Sequence, residues 1–164
     1  LDYSKLLMYH YHYGVFKNFY KDKVKLLMTD TDSLFYEIKT DDVYEDLFGK
    51  DSKFKNLFDT SGFKQDNPYY SAVNKKVNGK LKPENGFNII YRFAGLRSKN
   101  YAFDYASEYE HLLTDKDKEK LVRCKGTATA TIKDKITLDS IIETLKDSTL
   151  IKHDNYCIRS KSIN

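Results

Sequence analysis

Hydrophobic residues recur every three or four positions over the first 20 residues of the chain. The stripe is mostly aromatic and consists of Tyr3, Leu6, Leu7, Tyr9, His10, Tyr13, Phe16 and Tyr20. This spacing predicts an amphipathic helix that packs an aromatic face on a sheet. Two strand-like runs follow, at residues 24–29 and 34–39, and the polar residues 30–33 between them predict the turn of a β-hairpin.

Turn residues divide the middle of the chain into short elements. Residues 41–58 predict one or two short helices. The pair Asn78-Gly79 favours a two-residue turn, so residues 74–77 and 80–82 are predicted to pair as a second hairpin.

Strand signals return in the second half of the chain. Residues 87–93 and 97–103 alternate and predict two strands, with a bend at Gly95 between them. Residues 114–120 predict a charged surface turn or a short helix, and Thr137 can cap a helix. The apolar face of that helix consists of Leu138, Ile141, Ile142 and Leu145. Together the elements predict the α+β class: an antiparallel sheet with packing helices, then a small helical C-terminal lobe.

Composition agrees with a folded domain. The 164 residues are 40% hydrophobic and 32% charged, which suffices for a core and excludes a disordered tail. No apolar run approaches the length of about 18 residues that a membrane span needs. Cys124 and Cys157 are too few for a disulfide framework and lack zinc-site spacing, so we expect reduced thiols and an intracellular or intravirion compartment. Because the chain opens on Leu1 inside a helical pattern, without a leader, we expect a piece of a longer chain.

Charge is unevenly distributed, although the net charge is only +4. Residues 30–66 hold ten acidic residues against five lysines, whereas residues 67–101 hold seven basic residues against Glu84. Two solvated faces would explain these blocks. The alternative is a metal-binding edge beside a polyanion-binding edge.

The tripeptide Asp30-Thr31-Asp32 carries the first candidate chemistry. Carboxylates two residues apart in extended backbone point the same way and repel each other unless a cation neutralises them. Mg²⁺ suits such a pair, because it binds one or two carboxylates and completes its shell with water and substrate phosphates. An ordinary polar turn is the simpler interpretation of the tripeptide alone.

Other Asp-rich motifs fit less well. An EF-hand loop starting at Asp30 would need Asp or Asn, Gly and Glu where the chain has Leu34, Phe35 and Asp41. The Asp-x-Asp of a sugar-nucleotide transferase or of a haloacid-type phosphatase stays open, but neither explains the basic motifs that follow.

With its flanking strands, LLMTDTDSL at residues 26–34 resembles motif C of family B DNA polymerases. In that family Asp-Thr-Asp-Ser lies at the tip of a hairpin in the palm subdomain. Met28 stands where many members have Tyr, which is a mild departure. The resemblance implies that Asp32 ligates the catalytic metals, that Asp30 acts nearby through water and that Thr31 contacts the nucleotide.

A second motif, Lys99-Asn100-Tyr101, follows on the predicted strand 97–103. In extended backbone Lys99 and Tyr101 would share one face with Arg97. A cation beside an aromatic ring can hold a phosphate while the ring packs on a sugar or base, although such residues are also commonplace on half-solvated strands. The triplet resembles the Lys-x-Tyr motif that follows motif C in family B and positions the primer terminus.

Two further stretches extend the resemblance. RCKG at residues 123–126 is similar to a stretch that leads into the thumb of the protein-primed branch, which implies a DNA-backbone contact by Lys125. Residues 58–80 resemble an insertion in polymerases of self-replicating transposons and related viruses. The lysines expected to face the duplex are Lys75, Lys76, Lys80 and Lys82.

By the order and spacing of these motifs, the chain resembles the C-terminal part of a protein-primed family B DNA polymerase. The resemblance implies a palm-like sheet at residues 1–122 and the start of a thumb at residues 123–164. It implies attack of a primer 3′-hydroxyl on the α-phosphate of a deoxynucleoside triphosphate, with Mg²⁺ or Mn²⁺ as cofactor. The implied partners are primer–template DNA, the nucleotide and a terminal priming protein, with no membrane, in the nucleus or associated with a virus.

Two alternatives from other classes stay open. A non-catalytic nucleic-acid-binding remnant would keep the hairpin, and Asp32→Asn would not change its metal binding. A metal-dependent nucleotide-sugar transferase would bind the sugar nucleotide without DNA.

The isolated chain is predicted to lack polymerase activity. Family B also needs a motif A carboxylate followed by a Ser-Leu-Tyr-Pro-like run and a nucleotide-binding Lys on a fingers helix. Neither occurs in this sequence, since DYSKL at residues 2–6 has no Tyr-Pro continuation. Primer extension by the 164-residue chain should therefore not exceed that of an Asp32→Ala control. Extension above the control would contradict the prediction.

Overall fold

The computed structural model of the chain describes residues 2–86, 88–106, 121–148 and 150–152. The chain divides into two compact units, Leu1–Ile89 and Ile90–Asn164. The described residues form two small antiparallel sheets and several helices, so the predicted α+β class is confirmed.

Residues 2–20 form one helical stretch, as predicted, and we call it helix α1. It consists of an α-helical segment Asp2–Tyr9, a π-helical segment His10–Lys17 and a final α-helical turn Asn18–Tyr20. Its buried residues are Tyr11, Val15, Phe16 and Tyr20. These side chains form part of the aromatic core of the first unit.

The packing face predicted for helix α1 is partly wrong. Four residues of the predicted stripe are more than half exposed, namely Tyr3, Leu6, Tyr9 and Tyr13. The segment Asp2–Tyr9 buries none of its residues. In the π-helical segment each hydrogen bond spans five residues, so one turn takes more residues and the buried face passes to Tyr11 and Val15.

The predicted first hairpin is confirmed. Strand β1 is Val24–Asp30 and strand β2 is Ser33–Ile38, with a two-residue loop between them. Helix α1 packs on this hairpin through Tyr36: the ring centroids of Phe16 and Tyr36 are 4.7 Å apart, and the Tyr36 hydroxyl lies 3.0 Å from His12 Nδ1. Burial raises the pKa of the Tyr36 hydroxyl.

Short helical elements follow, as predicted for this part of the chain. Helix α2 is Val43–Phe48, and the Asp42 carboxylate caps it by accepting two backbone N–H groups at 2.8 and 3.0 Å. A 3₁₀ turn, Lys55–Leu57, then leads to Phe58, whose ring centroid is 5.0 Å from that of Phe48. Edge-to-face pairs of this kind hold the core together.

The hairpin predicted around Asn78-Gly79 is wrong. Gly79 has a positive φ of 83°, as the turn requires, but the flanking residues form no strand pair with each other. Instead Leu81 makes an isolated parallel bridge with Phe58. Hydrogen bonds to the preceding segment compete with local strand pairing, and the sequence pattern does not reveal this longer-range partner.

The second unit contains a three-stranded antiparallel sheet in the order β3-β4-β5. Strand β3 is Ile90–Arg97, strand β4 is Asn100–Tyr105 and strand β5 is Val122–Cys124. Strand β4 is therefore the central strand of the described sheet.

Two strand predictions in this unit are wrong in extent. Gly95, predicted as a bend after a strand at 87–93, lies inside β3 and pairs with Tyr101. The strand predicted over 97–103 is interrupted by a two-residue turn that includes Lys99. Alternating residue types on both sides of the turn concealed the reversal of the chain.

Helices α3, Thr129–Lys135, and α4, Leu138–Asp147, follow strand β5. The predicted cap is confirmed: Thr137 Oγ1 accepts the N–H of Ser140, and Ser140 Oγ accepts the N–H of Thr137. This reciprocal pair is a capping box, in which Ser140 takes the place of the more common Glu or Gln.

Helix α4 packs on one face of the sheet. The buried cluster consists of Ala94, Ala102, Leu138 and Ile141. Small alanine side chains let the helix approach the strands closely. On the same unit the guanidinium of Arg92 pairs with Asp104 at 2.6 Å and with Asp139 at 2.9 Å, which joins β3, β4 and the first turn of α4.

Several sequence predictions stay untested by the structure. The charged segment 114–120 and Cys157 lie outside the described residues. The subdomain boundary between residues 122 and 123 stays a prediction, and strand β5 spans that position while it pairs with β4. Among the described residues, no helix has the length and apolar character to cross a membrane.

We expect Leu138→Ala to destabilise the second unit by about 2–5 kcal/mol, because it leaves a cavity where helix α4 meets the sheet. Leu138 is only 4% exposed, whereas Leu145 on the same helix is 50% exposed. The matched control Leu145→Ala should therefore cost less than about 0.5 kcal/mol. Urea unfolding followed by far-UV circular dichroism measures both, and equal losses would contradict the described packing.

Candidate functional site

The acidic tripeptide lies at the tip of the β1–β2 hairpin, and we call residues 30–32 the hairpin tip. Asp30 ends strand β1 on the inner side of its alternating pattern and is half-buried. Asp32 is exposed in the loop. Asp30 pairs with Ser33 across the strands, so the backbone of both aspartates lies within one short turn and not in the extended segment that the sequence predicted.

Thr31 has a left-handed backbone with a φ of +60°. The N–H of Asp32 donates to the carbonyl oxygen of Asp30 at 2.7 Å, which closes a tight turn around Thr31. Positive φ is a genuine outlier for a β-branched residue and costs on the order of 1–3 kcal/mol. The paired strands on either side enforce this conformation. The strained residue, Thr31, lies between the two aspartates in the sequence.

The donor atoms at the hairpin tip suit a hard divalent cation. Asp30 and Asp32 offer carboxylate oxygens, the ligand type that Mg²⁺ and Mn²⁺ prefer. The Thr31 hydroxyl lies 3.5 Å from Asp30 Oδ1. Within the part of the chain that the structure describes, no group of three or more His, Cys, Asp or Glu side chains gathers as a metal site. An ion at the tip would therefore take two carboxylates at most, and water or phosphate would complete its shell.

The Lys-x-Tyr residues do not share one strand face, contrary to the sequence prediction. Lys99 lies in the β3–β4 turn with a φ of +62°, and Arg97 is exposed at the end of β3. Tyr101 lies on β4 and is 9% exposed, with its ring centroid 6.1 Å from that of Phe93 and 6.4 Å from that of Phe103. Tyr101 is thus a core residue, whereas Lys99 and Arg97 lie at the surface.

Strand β5 brings the RCKG stretch next to the Lys-x-Tyr motif. Arg123 pairs with Tyr101, and the N–H of Lys125 donates to the carbonyl oxygen of Lys99 at 2.9 Å. We call the resulting group the basic sheet end; it comprises Arg97, Lys99, Arg123 and Lys125. None of the four has an acidic residue within two positions in the sequence. Such a cluster attracts anions.

A second group of cations lies on residues 72–82, which we call the basic loop. Lys75 and Lys76 are exposed there, and Lys76 has a left-handed φ of +59°. Lys82 is also exposed, whereas the ammonium of Lys80 donates to the carbonyl oxygen of Asn56. The loop therefore presents Lys75 and Lys76 outward, and Lys80 helps to fasten it.

Asp59 is a buried carboxylate that the sequence analysis did not single out. It is 7% exposed, and it accepts the N–H of Ser61 at 3.0 Å and the N–H of Lys76 at 3.1 Å. Hydrogen bonds from Ser61 above all, then from Lys76, together with the charge of Lys82, outweigh burial and hold the pKa of Asp59 below its ordinary value. An Asp that accepts the N–H two residues on is a readable turn signal. The bond to Lys76 has no local signal.

The predicted site residues form three groups in the structure. Asp30, Thr31 and Asp32 share the hairpin tip, Lys75 and Lys76 share the basic loop of the same unit, and Arg97, Lys99, Tyr101 and Lys125 gather in the second unit. Each group is defined within its own unit.

Comparison of the chain with protein-family models, with characterised proteins and with solved structures finds no match.

Replacing Asp59 by Asn should destabilise the first unit by about 1–3 kcal/mol at pH 7, since an amide cannot accept both backbone N–H groups. Folding lowers the pKa of Asp59 from 3.8, so the ionised carboxylate stabilises the fold above that pH and loses its effect as pH falls through the lower folded value. The difference between wild type and Asp59→Asn in urea unfolding should therefore shrink below about pH 4. Exposed Asp66→Asn is the control, and a difference that grows on acidification would contradict this account.

Proposed function

We propose that the chain contributes part of the palm and thumb of a protein-primed family B DNA polymerase, with the hairpin tip as its metal-binding element. The observation that carries the proposal is the strained turn at residues 30–32, in which a β-branched residue at positive φ separates two aspartates. Simple hairpin turns place Gly or Asn at such positions. Backbone strain of this kind is concentrated at functional sites, which supports a role for the tip beyond reversing the chain.

The two carboxylates would have different tasks in this proposal. Asp32, exposed in the loop, is available for direct ligation of a divalent ion. Asp30, half-buried at the end of β1, would hold a coordinated water and keep the turn closed through its carbonyl oxygen. A bound Mg²⁺ would supply charge stabilisation at the reacting phosphate.

The basic sheet end would bind the primer strand. The backbone hydrogen bond from the Lys125 N–H to the carbonyl oxygen of Lys99 holds these two residues side by side, which supports contacts of their ammonium groups with adjacent phosphates. The ring of Tyr101 is largely buried, so it would support the strand next to Lys99 and would not contact DNA itself. Lys99 thus keeps its predicted role as a primer contact, whereas the proposed role of Tyr101 changes from a surface contact to a support.

The basic loop would add contacts to the duplex backbone. Lys75 and Lys76 are exposed lysines without aromatic neighbours in sequence, which suits phosphate contacts more than base stacking. Binding through such contacts is largely independent of sequence and weakens with salt.

Mn²⁺ should broaden the amide resonances of the hairpin tip in the ¹⁵N-labelled chain. We expect this effect at low millimolar ion, because two carboxylates with water give weak binding. Asp32→Asn should abolish the broadening, and the matched variant Glu37→Gln, an exposed carboxylate of strand β2 away from the tip, should leave it unchanged.

The outcomes of the titration separate the candidate functions. Primer–template DNA should bind to the same chain, and a uridine diphosphate sugar should not. A chain that binds DNA but shows no Mn²⁺ effect at residues 30–32 would be the non-catalytic remnant. Binding of the sugar nucleotide with Mn²⁺, and no binding of DNA, would favour the transferase and overturn the polymerase proposal.

A further inference from the structure

We infer that Asp59 is a positioning residue for DNA binding, which sets Lys76 against a phosphodiester backbone. The inference rests on the proposed function, because it takes DNA as the partner. It adds a carboxylate that improves binding to DNA although its negative charge excludes a direct contact with phosphate.

The hydrogen bond from Lys76 to Asp59 is the central contact. Lys76 adopts a left-handed backbone with a φ of +59°, and its N–H donates to Asp59 Oδ2 at 3.1 Å. Non-glycine residues rarely keep this conformation without support. The direction in which the Lys76 side chain leaves the loop is therefore fixed by a buried acceptor 17 residues earlier in the chain.

Other hydrogen bonds fix the ends of the basic loop. Asn74 Nδ2 donates to the carbonyl oxygen of Phe58 at 2.8 Å, and the hydroxyl of Tyr11 donates to that of Gly79 at 2.6 Å. Asp59 itself donates its backbone N–H to the carbonyl oxygen of Leu81 at 2.7 Å. Between these ends the Asp59 carboxylate holds the N–H of Lys76, next to a turn that the Val77 N–H closes on the carbonyl oxygen of Asn74 at 3.2 Å.

A positioning role and simple electrostatics predict opposite changes in DNA affinity when Asp59 is replaced. Removal of a negative charge beside lysines would by itself strengthen binding to a polyanion. Loss of the Lys76 hydrogen bond would instead release the loop, so a fixed phosphate contact becomes a mobile one and binding weakens. The sign of the change in DNA affinity therefore tests the inference.

The test is a double-mutant cycle on the full chain with a fluorescein-labelled primer–template duplex, read by fluorescence anisotropy at several salt concentrations. Lys76→Ala should weaken binding about 3–10-fold and reduce the salt slope by about one, as expected for one lost phosphate contact. Asp59→Asn should also weaken binding, by about 2–5-fold. In the double variant Asp59→Asn should add nothing to Lys76→Ala, because both changes act through the same contact.

Controls keep a fold defect apart from a positioning effect. Far-UV circular dichroism checks that each variant is folded, and Asp66→Asn, an exposed carboxylate in the same unit, should not weaken binding. If Asp59→Asn does not fold, Asp59→Ser takes its place, since serine can still accept the N–H of Ser61 but is too short to reach Lys76.

Four results would overturn the inference. Unchanged or tighter binding by the Asp59 variant would show that the carboxylate acts only through its charge. Additive losses in the double variant would show that Asp59 does not act through Lys76. A wild-type chain that does not bind the duplex would refute the proposed function itself, whereas binding that is insensitive to Lys76→Ala would refute only this inference.

Discussion

Packing of helix α1 on the β1–β2 hairpin is the interaction on which the first unit depends. A two-stranded hairpin is only marginally stable in water by itself. Here the ring of Phe16 lies against that of Tyr36, and His12 contacts the Tyr36 hydroxyl, so the hairpin gains a covered face. A stable pair of strands can impose a strained conformation on Thr31. The backbone conformation of the tip thus depends on aromatic packing several residues away.

Each of the three candidate groups contains a polar residue with a left-handed backbone. Five non-glycine residues have positive φ among the described residues, namely Lys21, Thr31, Lys76, Lys99 and Ser148. Three of them belong to the residues predicted from sequence to bind metal, nucleotide or DNA. Each of these three lies in a turn that neighbouring hydrogen bonds or strand pairs enforce. The turns project polar groups from fixed backbone, and a fixed backbone reduces the entropy lost on binding.

Local signals allowed part of this structure to be predicted from the sequence. The first hairpin and the Thr137 cap follow from periodicity and capping chemistry, which involve residues close together in the chain. The turn at Lys99 was missed because alternation continues on both sides of it. Lys76 of the basic loop donates its N–H to Asp59, and no pattern within a short window predicts a hydrogen bond over 17 residues.

The acidic block shows why charge density alone does not locate a metal site. Several of its carboxylates have structural partners: Asp42 caps helix α2, Asp46 accepts hydrogen bonds from the hydroxyls of Tyr20 and Thr40, and Asp59 accepts two backbone N–H groups. Each of these carboxylates already has hydrogen-bond donors within the fold. The charge of residues 30–66 by itself therefore does not identify a metal-binding edge. At the hairpin tip two aspartates share a single enforced turn, and this arrangement is what supports the proposed divalent-ion site.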